Sequence, residues 1–245
     1  MITEQIVYFS GLGAALGFVH TFLGPDHYIP FVFMARARNW TQRKTIVITV
    51  LCGLGHVLSS VALGFAGIAL GIGVTRLTDI EAVRGDWAAW AFAIFGFLYM
   101  AWGLYRAFRN RPHRHLHIHE GGIVHEHSHT HKNEKTHKSE HSHKHEEKPK
   151  NITPWVLFVI FVLGPCEPLI PVIIYPAVEE RGNITEAVVV SVVFSIVTLA
   201  TMVAMVIILQ KGLNIVRLSK LERYTHAIAG AMLLLSGIGI LFLGL

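Results

Sequence analysis

Leu23-Gly24-Pro25-Asp26-His27 and Leu163-Gly164-Pro165-Cys166-Glu167 are two versions of one element, each set inside a long apolar stretch. Proline removes a backbone donor and clashes with the preceding turn, so each copy breaks a helix at that point. Backbone groups freed in this way are tolerated at membrane depth only where they are buried or line a wet cavity. Asp26 and Glu167 read as the only acidic residues well inside apolar segments. Ionisable groups at such depth are costly and mark a substrate or ion pathway. One duplicated feature therefore points to a transporter-like membrane protein, to an internal repeat and to a site.

Working outward, the chain has 245 residues, 52% hydrophobic and 15% charged, with mean hydropathy +0.49. That balance excludes an ordinary soluble domain. A helix needs about 20 apolar residues to cross a bilayer, and six stretches qualify, near 6–34, 46–74, 87–105, 152–177, 187–210 and 225–245. The expected fold is an all-α polytopic membrane protein: six transmembrane helices as two inverted three-helix repeats, the first and fourth broken. Residues 1–110 form the first repeat, 111–150 a disordered His-rich cytoplasmic loop, and 151–245 the second repeat. The first stretch is too long and too polar at its middle for a signal peptide.

Charge sets the orientation. Arg36, Arg38, Arg43 and Lys44 follow the first stretch; Arg106, Arg109, Arg111 and Arg114 the third; Lys211, Arg217, Lys220 and Arg223 the fifth. The other connections are acidic or mixed, with Asp79, Glu81, Asp86, Glu179, Glu180 and Glu186. Basic loops stay cytoplasmic, so both termini are expected outside a cytoplasmic (plasma or inner) membrane. The formal charge of +5 belongs to this asymmetry, and no nucleic-acid partner is expected. Three spans per half place the halves in opposite orientations, and the sequence carries matches at near-constant offset. Leu-Gly-Pro recurs at 140, Asn39 and Thr41 match Asn183 and Thr185 at 144, and Ile94, Gly96 and Gly103 match Ile228, Gly230 and Gly237 at 134. Inverted repeats with broken helices are a secondary-transporter pattern.

The candidate metal residues are His20, Asp26, His27 and His56. Imidazole nitrogen with carboxylate oxygen suits borderline divalent metals such as nickel, cobalt or zinc. Cys166, Glu167, Ser59 and Thr198 are candidates for a secondary metal role or for proton coupling. His226 reads as interfacial. Residues 113–145 hold 12 of the 16 histidines: His113, His115, His117, His119, His125, His127, His129, His131, His137, His141, His143 and His145. Such a tract reads as metal capture. Cys52 and Cys166, both in apolar segments, do not form a secreted disulfide framework.

His20, Asp26 and His27 with Leu54-Gly55-His56 and Ser59-Ser60 make the chain resemble the nickel/cobalt transporter superfamily, closest to its six-span UreH-like and efflux branches. That resemblance implies metal-pathway roles for His20, Asp26, His27 and His56. Gly164-Pro165-Cys166 also resembles the membrane thiol–disulfide carriers of cytochrome c biogenesis. Those use one cysteine per half at corresponding positions, and Asp26 stands where Cys166 has its counterpart, so a redox pair is not expected. The resulting expectation is a transporter, not an enzyme. It would move nickel, cobalt or zinc by alternating access, as efflux with proton exchange. No cofactor is permanently bound; the partners are the metal ion, the lipid bilayer and a cytoplasmic metallochaperone. The alternatives are an exporter of a small organic or sulfur-containing anion, or a membrane thiol–disulfide electron carrier. The anion exporter would need a cation in the core, and no Lys or Arg reads as lying deep in a span.

Overall fold

The computed structural model describes residues 2–109, 113–118, 124–129, 152–179, 184–215 and 222–243. It contains α1 (Ile2–Leu23), α2 (Ile29–Arg38), α3 (Gln42–Ala69), α4 (Val74–Arg109), β1 (His113–Ile118), β2 (Val124–His129), α5 (Thr153–Leu163), α6 (Leu169–Glu179), α7 (Ile184–Ile215) and α8 (Thr225–Leu243). Five helical segments are long and apolar enough to cross a membrane: Glu4–Leu23, Gln42–Ala69, Val74–Arg109, Ile184–Leu213 and Glu222–Leu243. Large apolar side chains such as Phe18, Leu58, Trp90, Phe97 and Ile196 lie exposed on their outer faces. Contiguous apolar surface of this kind is stable only against lipid or a partner.

Both Leu-Gly-Pro elements interrupt a helix. After Leu23 the chain makes one 3-10 turn over Pro25–His27 before α2. After Leu163 it is non-helical until Leu169. The fourth expected span is thus two helices of 11 residues each, each too short to cross a bilayer alone. The third expected span, 87–105, is too short: α4 has 36 residues. At 1.5 Å per residue it reaches about 54 Å, and its first three turns carry Asp79, Glu81 and Arg84. The charges that read as a connection belong to a helix, because hydropathy finds only its apolar part. The segment expected to be disordered holds an antiparallel ribbon, with His113 opposite His129 and His117 opposite His125. Its alternating sequence favours period-two backbone pairing. His119, His131, His137, His141, His143 and His145 lie outside the described residues.

Local signals set the helix ends. Asn39 closes α2 in the left-handed region (φ 52°), a conformation asparagine tolerates better than most residues. Two residues on, the Thr41 side chain accepts from the Lys44 amide at 3.3 Å and caps α3. The main packing pairs are α4 with α8 and α1 with α7, followed by α2 with α8, α3 with α5 and α6 with α7.

The α4–α8 contact is closest where the matched glycines lie. A Cβ on Gly96 would press into the backbone of Gly230 and Leu234; one on Gly230 into Met100; one on Gly237 would stand 2.6 Å from the Ala89 carbonyl. Small residues that let backbones meet are a recurrent solution for helix pairs in lipid. Gly230→Ala should therefore destabilise the fold, at the upper end of the ~1–3 kcal/mol typical of overpacking, since backbone cannot swing aside. Gly11→Ala, at a position with open space, should be neutral or stabilising by up to about 1 kcal/mol through helix propensity. Thermal unfolding in detergent distinguishes the two signs.

Candidate functional site: a histidine cluster beside a braced helix break

His20 sits in the last turn of α1, His27 in the 3-10 turn and His56 on α3. Their ring centroids are 4.7 Å (His20–His27), 5.1 Å (His27–His56) and 6.4 Å (His20–His56) apart. One nitrogen from each lies within 4.8 Å of the others. His27 and His56 are buried at 3% exposure. The His27 Nδ1 is 3.1 Å from both Asp26 Oδ1 and the Gly24 carbonyl. Nε2 of His20, Nε2 of His27 and both nitrogens of His56 make no hydrogen bond. Buried polar atoms are almost always partnered, so four such nitrogens in one spot mark a candidate binding site.

The turn that presents His27 requires glycine at 24. A Cβ there would stand 2.6 Å from His27 Nδ1 and 2.9 Å from Asp26 Oδ1. At the second break, a Cβ on Gly164 would stand 3.2 Å from His56 Nδ1. The cluster and both breaks thus meet, around a cavity of about 310 Å3 lined by the three histidines, Asp26, Gly164 and Glu167 among others.

Sequence reasoning missed two residues that hold the second break together, Glu81 and Arg84. Glu81 is fully buried. Its Oε1 pairs with Arg84, and its Oε2 accepts from Ser60 at 3.2 Å and from the Cys166 amide at 3.1 Å. Arg84 donates to Ser59 Oγ at 2.7 Å, the Val162 carbonyl at 2.8 Å and the Gly164 carbonyl at 3.4 Å. The pair binds the carbonyls ending α5 and an amide beyond the break, the groups that a helix end leaves orphaned. Two expectations are corrected here. Asp26 and Glu167 are not the only acidic residues in apolar helices, and a cation does lie in the core. Both escaped notice because the apolar window of α4 begins after them. That cation is fully engaged by Glu81, Ser59 and carbonyls, so it does not present itself to an anionic substrate.

The remaining candidates fall elsewhere. Ser59 donates to the His56 carbonyl at 2.8 Å and receives Arg84, which makes it part of the brace. Thr198 on α7 packs against Gly17. Cys166 is fully buried among Val57, Leu169, Ile173, Ala187 and Phe194, and Cys52 belongs to a different cluster. Both are free thiols. Glu167 is exposed at the cavity. His226 accepts from or donates to Tyr99 at 2.8 Å and packs edge-on against Trp102. Among the loop histidines, only the backbone of the two strands is described.

The chain belongs to the family described as the cytochrome C biogenesis protein transmembrane region, whose model matches residues 28–239. It is a multi-pass membrane protein. No curated protein and no solved structure matches it. The match overturns the resemblance to the nickel/cobalt transporter superfamily. That resemblance rested on a few polar residues, of which His20, Asp26 and His27 precede the matched region. The match runs through both halves and contains Gly164-Pro165-Cys166. It supports the thiol–disulfide electron carrier better than metal transport. Nickel or cobalt as cargo, and a metallochaperone as partner, find no support.

Removing the Arg84 guanidinium leaves the Glu81 carboxylate buried and uncompensated. Arg84→Ala should cost about 3–5 kcal/mol, as for other broken buried pairs. Adding Glu81→Gln should recover part of that loss. A double-mutant cycle in chemical denaturation measures the coupling, which we expect to exceed about 1 kcal/mol.

Proposed function

We propose that the protein carries reducing equivalents across a membrane by thiol–disulfide exchange, with Cys166 as the exchanging sulfur. The observation that carries this is the position of Cys166. It directly follows the Gly-Pro break of α5, inside the matched family region, with its amide fixed by Glu81 at 3.1 Å. Among the 245 residues its only possible internal partner is Cys52.

In the oxidised carrier, Cys52 and Cys166 share a disulfide. A thiolate of a donor protein attacks Cys166 Sγ; the bond to Cys52 breaks, and Cys52 leaves as a thiolate and takes a proton. The donor's second thiol then attacks the mixed disulfide, releasing Cys166 as a thiol and the donor as a disulfide. Two electrons and two protons have moved. The reduced pair passes them to a disulfide of an acceptor by the same steps reversed. The partners are therefore dithiol and disulfide proteins, and the pathway is thiol exchange. Val57 packs against Cys166, and Cys52 lies five residues earlier on α3, about 7.5 Å along the axis. A disulfide needs Cα atoms about 4.4–6.8 Å apart, so pair formation requires α5 and α6 to move at their hinge.

The reading includes a topology of six crossings in two inverted repeats, with both termini outside a cytoplasmic membrane and the His-rich segment inside. Three features support it. The Leu-Gly-Pro breaks fall in the first and fourth segments. The basic residues cluster after the first, third and fifth. Packing is reciprocal: first segment on fifth, fourth on second, third on sixth.

Redox cycling is measured by trapping thiols with an alkylating mass tag after exposing the full chain in membranes to a dithiol or disulfide protein. Wild type should interconvert between both-thiol and disulfide forms. Offered a disulfide protein, Cys52→Ser should accumulate a mixed disulfide at Cys166, since the thiol that would attack Cys166 and release the acceptor is missing. Cys166→Ser should lose exchange altogether; exchange that persists in Cys166→Ser overturns the proposal.

A further inference from the structure

The thiol reading leaves the histidine cluster unused. It meets the second break at Gly164, whereas Cys166 packs among Val57, Leu169 and Phe194, and its chemistry is different. We infer that His20, His27 and His56 form a resident site for one divalent ion of the zinc class, with Asp26 as the orienting carboxylate and the fourth coordination position open to the cavity.

Three nitrogens that can reach one ion, one from each ring, lie within 4.8 Å of one another. Two of the rings are 3% exposed, and their facing nitrogens have no hydrogen bond. Neutral imidazole is a preferred ligand for zinc, copper and nickel, and a poor one for magnesium or calcium. Zinc sits about 2.0–2.1 Å from imidazole nitrogen, so tetrahedral ligands stand about 3.3 Å apart; the rings need to close by about 1.5 Å at most. His20 is in the last turn of α1 and His27 on a single 3-10 turn, so neither ring is carried by the interior of a helix.

The tertiary arrangement reassigns Asp26. Its carboxylate approaches Nδ1 of His27, the nitrogen that also faces the Gly24 carbonyl, and so holds Nε2 toward the other two rings. Carboxylate on the far nitrogen of a ligating histidine is the usual second layer of zinc sites: it fixes the ring and raises its basicity. Three protein ligands with an open fourth position distinguish sites that take a water or another group from closed structural ones. Here the open side is the cavity of about 310 Å3 that also receives Glu167. A fixed ion at this place ties α1, the first break and α3 together.

The test uses the full-length protein with the twelve histidines of 113–145 replaced by serine, so that the His-rich tract does not contribute. It is purified without added metal and titrated with cobalt(II), then with zinc(II). One equivalent of cobalt should bind with the strong visible absorption of a four-coordinate ion and be displaced by zinc. His27→Ala and His56→Ala should each abolish that equivalent. His20→Ala, at a less buried position, should do the same and guards against misfolding of the other two. Asp26→Asn should retain the equivalent with affinity about 10–100-fold lower, and Cys166→Ser should leave it unchanged. Absence of a bound equivalent, or one that survives His27→Ala, overturns the site. Unchanged affinity in Asp26→Asn overturns the orienting role. Thiol exchange is read separately, so failure here leaves the carrier proposal standing or falling on its own result.

Discussion

The Arg84–Glu81 pair is the interaction on which the second half of the membrane domain depends. Breaking a helix in a low-dielectric interior releases carbonyls before the break and amides after it, and each unsatisfied group costs several kcal/mol there. Arg84 takes the carbonyls of Val162 and Gly164, and Glu81 takes the amide of Cys166. Each of these two charges also neutralises the other. Two ionised groups buried together cost much in desolvation and return it only with near-complete hydrogen bonding. Here every contact of the pair is with a group that the break would otherwise orphan, apart from the two serines of α3.

The first break is solved differently. Its turn is closed by backbone bonds, His27 to the Gly24 carbonyl at 3.1 Å and Tyr28 to the Pro25 carbonyl at 3.3 Å. No cation is needed: the His27 ring adds a contact of Nδ1 to the Gly24 carbonyl and to Asp26, and its Nε2 is left without a partner. The two copies of one sequence element thus carry different chemistry. One presents imidazoles to a cavity; the other buries a thiol among Val57, Leu169 and Phe194. Gly164 lies close enough to His56 that any side chain at 164 would press on the ring.

Glycine also governs the scaffold. The α4–α8 pair meets backbone to backbone through Gly96, Gly103, Gly230 and Gly237. In lipid there is little hydrophobic gain from bringing two apolar helices together, so close dispersion contact is what holds them. That seam fixes α4, and α4 carries both members of the brace.

The sequence by itself determined that the chain lives in a membrane, that it breaks at Gly24-Pro25 and Gly164-Pro165, and that His20, His27 and His56 are costly enough to matter. These follow from local facts: apolar length, proline geometry and the expense of polar groups in hydrocarbon. It also contained the paired glycines at constant offset, although nothing in the linear chain says that the two sets face each other. The tertiary structure decided the rest. Glu81 and Arg84 were illegible because they lie outside the apolar part of α4, and only packing brings them against a break about 80 residues away. The approach of Asp26 to Nδ1 of its neighbour is set by a single 3-10 turn, a direction that spacing does not encode. The family, too, is written across residues 28–239 rather than in a motif. A few polar residues record what a site requires chemically, whereas ancestry is spread through the helices that hold it.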